Sequence, residues 1–424
     1  MWISLRVMSA LLPRATPRHV EVGATDLWDD ARARMPPSIT ARMSSTPEML
    51  ACFDDDALVR GALAFEQALA AALADHGVIP AAAAVAVAEA CRAFDPARLG
   101  DDAAHAGTLA IPLVARLRAA VPPEHAAAVH LGATSQDVAD TALALQIAEA
   151  MPLVDRELDA ITGALAGLAR TYAESPALGR TLLQPAEPIT FGMRAANWLL
   201  GLDAAHARLA RERDAAVQLQ LGGAVGSLAA LGAAAPAVRA AVAVRLGLAA
   251  GPSWHSRRDA IAGLGAALAI AVGATGKLAR DISLLMQAEL AEVAEPAVAG
   301  RGGSSAMPHK RNPTGCQVAL SAAIRAPGLA ASLLAGMPQE LERGLGGWQA
   351  EAPVLGELFA LAHGALSAMR IVVQGLGVDA AAIAARAPAS PQRTVAIAAA
   401  ARFVDEALAL HAAAVARRAS RAPT

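Results

Sequence analysis

Aromatic side chains are scarce in this 424-residue chain, making up 3% of it. That leaves little for base-stacking platforms or for the aromatic belts of membrane proteins. Cysteine is scarcer still: Cys52, Cys91 and Cys316 are far apart, odd in number and in no paired motif. A disulfide framework and a zinc site are both disfavoured, and a reducing cytoplasm fits best. Charge of one sign is lacking too. A formal net charge of -2 asks for neither nucleic acid nor an anionic membrane. Nor is there a long apolar run of membrane type. The longest uncharged stretch, Ala260 to Gly276, is glycine-rich and flanked by Asp259 and Lys277, so it reads as a buried helix.

What is abundant is alanine, the best helix former, within a hydrophobic fraction of 55%. Almost every long segment carries helical periodicity. After Pro152, apolar residues fall at Val154, Leu158, Ile161, Leu165 and Leu168, the spacing of a helix seated in a bundle. No run alternates with period two, so the fold class is all-α. Four blocks follow. Residues 1–42 carry arginines without acids up to Val20, and prolines at 13, 17, 36 and 37 exclude a long helix there. This block reads as a poorly ordered extension ahead of a true start near Met43, with a weak transit peptide as the alternative. Residues 43–123 hold short helices interrupted by prolines. Residues 124–376 hold long helices beginning near Asp137, Ile189, Ala240, Ala260 and Glu351, and 377–424 form a short alanine-rich helical block.

Three motifs can carry chemistry. In His130-Leu131-Gly132-Ala133-Thr134-Ser135-Gln136-Asp137, Thr134 can cap a helix while Asp137 reaches back in a capping box. The free N–H groups of that helix end would suit a carboxylate beside Thr134 and Ser135, although an ordinary cap explains the same residues. The second motif, Gly179-Arg180-Thr181-Leu182-Leu183-Gln184-Pro185-Ala186-Glu187-Pro188, reads as a loop. The third, Gly303-Ser304-Ser305-Ala306-Met307-Pro308-His309-Lys310-Arg311-Asn312-Pro313, reads as a mobile loop, since Gly302 and Gly303 free its backbone. Lys310 and Arg311 beside the Asn312 amide would grip a substrate carboxylate.

This third segment resembles the GSSxMPxKxN signature of the fumarase/aspartase superfamily, and the other two resemble that superfamily's remaining conserved regions in the same order. The resemblance runs from about Ala51 to about Gly377. It implies a three-domain all-α fold whose central long-helix bundle forms the core of a homotetramer. Each active site would be shared between subunits, with no metal or organic cofactor. Within the superfamily, Ala106 to Val114, Gln220 to Gly226, Trp254 to Asp259, Lys277 to Ile282, and Glu342-Arg343 followed by Trp348 resemble the 3-carboxy-cis,cis-muconate cycloisomerase branch. Thr108, Leu341 and Gln349 depart from that branch, which has asparagine or histidine there, and the chain beyond Gly377 does not resemble its final domain.

A chemical argument points to the same branch. Where the superfamily's lyases carry the histidine that protonates the leaving group, this chain has Leu182. An amine needs that proton in order to leave. A carboxylate, with an ordinary pKa of about 4, does not. The resemblance implies Ser305 as catalytic base, with His130 as the alternative proton carrier. It implies Thr134, Ser135, Gln184, Lys310, Asn312 and Arg343 as contacts to a small tricarboxylate. For Arg343 a surface ion pair with Glu340 or Glu342 is the competing role. His255 is expected to pack on Trp254, and Arg280-Asp281 to form an ion pair between helices. A fumarate-releasing lyase such as adenylosuccinate lyase and a non-catalytic helical assembly protein remain as competing functions.

Overall fold

The computed structural model describes residues 38–304, 306–307, 310–387, 389 and 391–420. Ser305, and all but the last five residues of block 1–42, lie outside the described residues. Helices dominate the described residues, as alanine-rich periodic sequence dictates. In chain order the helices up to Gln374 are α1 (Ile39–Ser44), α2 (Pro47–Ala51), α3 (Asp55–Asp75), α4 (Ala81–Arg92), α5 (Leu99–Ala106), α6 (Ala110–Ala120), α7 (Ser135–Thr171), α8 (Phe191–Ala216), α9 (Ala235–Leu246), α10 (Asp259–Leu285), α11 (Thr314–Ala335) and α12 (Glu351–Gln374). Then come α13 (Ala380–Arg386) and α14 (Arg393–Ala419).

Five of these form the centre. Helix α7 packs on α8, α8 on α10, α10 on α11, α11 on α12, and α12 back on α7, closing a ring. The apolar stripe that the sequence spaced along α7 is what fills it: Val154, Leu158, Ile161 and Leu165 are fully buried, and Leu168 packs against them half-buried. Helix α10 contains the stretch Ala260 to Gly276. It is long and apolar enough to cross a membrane, as are four other described helices. Most of its apolar span is instead buried among α8, α11 and α12. A second apolar cluster joins α3, α4 and α6 to the first turns of α7 and to residues 219–248, where Leu219, Leu228, Val238 and Val242 are buried.

The second motif is not a loop. Strands β1 (Pro176–Thr181) and β2 (Gln184–Thr190) form an antiparallel hairpin joined by Leu182 and Leu183 alone. Pro185 and Pro188 hid it, because proline is tolerated only at sheet edges and a two-stranded ribbon has nothing but edges. Gly179 lets the strands approach: a Cβ there would lie 2.6 Å from the Glu187 carbonyl oxygen. A second pair, β3 (Val293–Ala294) and β4 (Gly377–Val378), ties the start of the C-terminal block to the chain after α10. Helix α14 then lies along α8 and touches β2.

Candidate active site

The N-terminus of α7 is built around one carboxylate. Thr134 is extended (φ -136°, ψ 164°), and Asp137 reaches back to accept its N–H at 3.0 Å. The same carboxylate accepts the N–H groups of Gly222 and Gly223, both at 2.9 Å, and Gln220 Nε2 at 3.2 Å. His255 Nε2 lies 2.8 Å from its Oδ1. The glycine loop is thereby pressed onto the first motif. Gly223 has φ +67°, and a Cβ there would sit 2.7 Å from the Gly132 carbonyl oxygen, so only glycine fits.

This packing brings a distant arginine to the helix end. Arg343 donates from Nη1 to Thr134 Oγ1 at 2.7 Å and from Nη2 to the Ala224 carbonyl. Its partners are these rather than Glu340 or Glu342, and the Glu340 carboxylate accepts the Leu345 N–H. Ser135 follows as the first residue of α7, half-buried. His130 has φ +63°, and its Nδ1 lies 2.5 Å from Glu66 Oε1. A guanidinium, two hydroxyls and unpaired helix N–H groups thus converge where a carboxylate would be held.

One turn into α7, Asp140 takes both ends of the Arg258 guanidinium at 2.8 and 2.9 Å. Arg258 also grips Glu351, the first residue of α12, with its Nε 2.9 Å from Oε1. All three side chains are buried, and the guanidinium stands 4.5 Å over the Trp254 ring. Two carboxylates face one cation here. Burial accordingly pushes the carboxyls of both Asp140 and Glu351 up, with Arg258 pulling each back only in part. The cluster bolts the loop carrying Arg343 to the helix carrying Thr134, because Glu351 follows directly on that loop.

Two sequence expectations are refined here. His255, expected to pack on Trp254, is held in the Asp137 network, and the Trp254 ring carries the Arg258 guanidinium. Arg280-Asp281 is not an ion pair between helices. Asp281 pairs with Lys277 on its own helix and accepts the Trp198 indole N–H at 2.7 Å.

The other two motifs stand apart from this group. The hairpin is anchored just short of its turn, where Arg180, paired across the strands with Pro185, meets the buried Glu292 at 2.5 Å. Its tip is another matter: Leu182 and Leu183 take φ +50° and +64° and are 97% and 73% exposed, with Gln184 exposed beside them. In the third motif, Asn312 folds the loop on itself, its N–H donating to the Gly302 carbonyl at 2.8 Å and its Nδ2 to Gly303 at 3.1 Å. Lys310 is exposed, and Glu295 caps α11 beneath, accepting from Gly315 and Cys316. Among the described residues no hydrogen bond or ion pair joins Gln184, Lys310 or Asn312 to Thr134, His130 or Arg343.

Residues 41–328 match the model of the lyase family. The chain belongs to that family, within the fumarase/aspartase superfamily. A relative from Pseudomonas aeruginosa named 3-carboxy-cis,cis-muconate cycloisomerase is 48% identical over 338 residues, 78% of this chain and 74% of that protein. A nitrosuccinate lyase from Streptomyces davaonensis is 41% identical over 344 residues, 78% of this chain and 72% of its own. Among solved structures, the 3-carboxy-cis,cis-muconate lactonizing enzyme of Pseudomonas putida superposes with a TM-score of 0.82 at 36% identity, covering 89% of this chain and 99% of its own. The all-α architecture expected of the superfamily is therefore the one found. Sequence reasoning missed Glu66, Gln220, Glu292 and the Asp140–Arg258–Glu351 cluster as parts of the site's frame, since each partner lies tens of residues away along the chain.

Proposed function

We propose that this chain is a 3-carboxy-cis,cis-muconate cycloisomerase, interconverting 3-carboxy-cis,cis-muconate and 4-carboxymuconolactone in protocatechuate catabolism. The observation that carries this reading is Leu182 at the hairpin tip, where a fumarate-releasing amine lyase needs a proton donor. A carboxylate leaving group needs none.

In the lactone-opening direction the base takes the proton α to a carboxylate, and the C–H electron pair moves into that carboxylate as an aci-carboxylate. The pair then returns to form the ring-opened double bond while the C–O bond breaks, its electrons leaving on the carboxylate oxygen. Lactone closure is the reverse. Ser305, by its place in the third motif, serves as base, with His130 as the second candidate. Thr134, Ser135 and Arg343 hold one carboxylate at the α7 N-terminus, and Lys310 and Asn312 another, so that cations and helix N–H groups face the developing negative charge. Gln184 borders the third. These steps move one proton and one C–O bond, and no metal or organic cofactor takes part.

The same reading makes the protein a cytoplasmic homotetramer whose sites are completed between subunits. Two features support the assembly. Exposed leucines at a strained hairpin tip want a covering surface. Helix α11 likewise turns Ile324 and Leu334, 78% and 51% exposed, away from the bundle. Residues 43–123, 124–376 and 377–424 serve as the three domains of each subunit.

Purified protein mixed with 3-carboxymuconate should abolish the diene ultraviolet absorbance. Turnover of adenylosuccinate or nitrosuccinate instead would replace the reading with a lyase, and turnover of none would favour a non-catalytic assembly protein. Ser305→Ala should then remove activity while the oligomer persists in size-exclusion chromatography. Surviving activity would move the base to His130.

A further inference from the structure

Glu66 is a carboxylate in an unusual position. Its side chain is completely buried on α3, and Oε1 lies 2.5 Å from His130 Nδ1. The second oxygen, Oε2, has no hydrogen-bond partner among the described residues. No arginine or lysine among them pairs with Glu66; His130 is its ionic partner. A buried acid without a full cation partner is an expensive feature for a core to keep, and such groups gather where chemistry uses them. Burial first, and then Glu66, push the nearby Cys91 thiol up to about 12.

From this geometry we infer that Glu66 is a positioning residue acting through His130. The inference rests on the reading of the α7 N-terminus as the substrate site. With Nδ1–H donated to Glu66, the imidazole is fixed as the tautomer whose lone pair is on Nε2. No described residue engages Nε2, and His130 stands four residues ahead of Thr134, on the turn that leads into α7. As the proton carrier that is the alternative to Ser305, His130 would hold the proton taken from or delivered to substrate carbon on Nε2. The Glu66 side chain orients the ring and faces the imidazolium formed, much as an acid orients the histidine of a hydrolytic triad. His130 takes a left-handed backbone, a conformation that histidine and asparagine tolerate better than most residues.

The test uses the full-length protein. Glu66→Gln keeps the shape and an acceptor but removes the charge. It should lower kcat by about 100-fold or more with KM changed by less than about threefold. His130→Asn, which preserves the backbone conformation, should lose a comparable factor, and adding Glu66→Gln to it should cost less than about threefold more. A structural role would instead give additive losses, and a Glu66→Gln variant within about threefold of wild-type kcat would overturn the inference. Ring nitrogen spectra of histidine-labelled wild-type protein supply a readout that needs no turnover: Nδ1 of His130 should be protonated, and should lose its shifted proton in Glu66→Leu. If the wild type proves inert on 3-carboxymuconate, the functional reading falls while the ring spectrum still decides the pair; an unprotonated Nδ1 sinks it. Should Glu66→Gln not fold, Glu66→Asp, which retains the charge, and the wild-type spectrum decide in the same way.

Discussion

Arg343 and Thr134, separated by 209 positions in sequence, are joined by a 2.7 Å hydrogen bond from guanidinium to hydroxyl. The same guanidinium holds the Ala224 carbonyl, so its fork is fixed at both ends while its charge stays beside the α7 N-terminus. Lysine cannot reproduce that geometry, since its ammonium is a single point on a flexible stem. Arg343→Lys should therefore lower kcat/KM for 3-carboxymuconate by about 10- to 100-fold, matching the roughly 1.5–3 kcal/mol of a charged hydrogen bond. Most of the loss should appear in KM. Steady-state kinetics on protein of unchanged melting temperature checks it, and an unaltered KM would leave Arg343 as a purely structural brace.

Leu182 and Leu183 occupy a two-residue turn with both φ angles positive, a geometry that favours Asn-Gly and costs other residues roughly 1–2 kcal/mol each. Exposure of 97% at Leu182 compounds the conflict. If the tip seats in another subunit, Leu182→Asn with Leu183→Gly should relieve the turn and yet weaken the assembly and raise KM. If it stands in water in the assembled protein, the pair should simply stabilise the chain. Analytical ultracentrifugation alongside kinetics separates these outcomes.

Much of this architecture is legible without coordinates, for identifiable reasons. Helix starts expected near Asp137, Ile189, Ala260 and Glu351 lie within two residues of those observed, because caps, prolines and apolar spacing are local signals. The expected start near Ala240 falls inside α9, where alanine-rich sequence blurs the boundary. The hairpin was hidden by its prolines. The bond from Trp198 to Asp281 spans 83 residues, so no local pattern announces it. Of the site, the capping box and the cationic loop could be read directly. What Asp137 binds, and that Glu66 stands behind His130, depend on contacts made only when the chain folds.

Arg258 makes the strongest stability prediction. Its fully buried side chain is shared by Asp140 and Glu351. Arg258→Met would leave two buried carboxyls without a cation, which should cost about 3–5 kcal/mol in denaturant unfolding. The pH dependence has a definite sign. Both carboxyls are raised in the folded state above their unfolded values near 4, so the native protein holds protons the unfolded chain has released. Their contribution is greatest at acid pH and is lost as pH rises through the folded values. Without Arg258 to pull them back, the variant's deficit should be larger at pH 7 than at pH 4.5. Unfolding curves at those two values check it; a constant deficit would mean that packing, not charge, dominates.

His363 gives the opposite sign on the same axis. It is buried on α12, and its Nδ1 lies 3.2 Å from Thr46 Oγ1, which tethers the start of α2 to the bundle. Burial lowers its pKa below the usual 6.5, outweighing the pull of Glu157 and Glu48. The unfolded chain therefore takes up a proton near pH 6.5 that the folded chain still refuses, and stability contributed by neutral His363 is present above that pH and lost as pH falls through it. His363→Gln can keep a hydrogen bond to Thr46 without titrating. Its melting temperature should consequently depend less on pH between about 5 and 7 than that of the wild type. Equal slopes for the two proteins would show that other groups govern the acid limb.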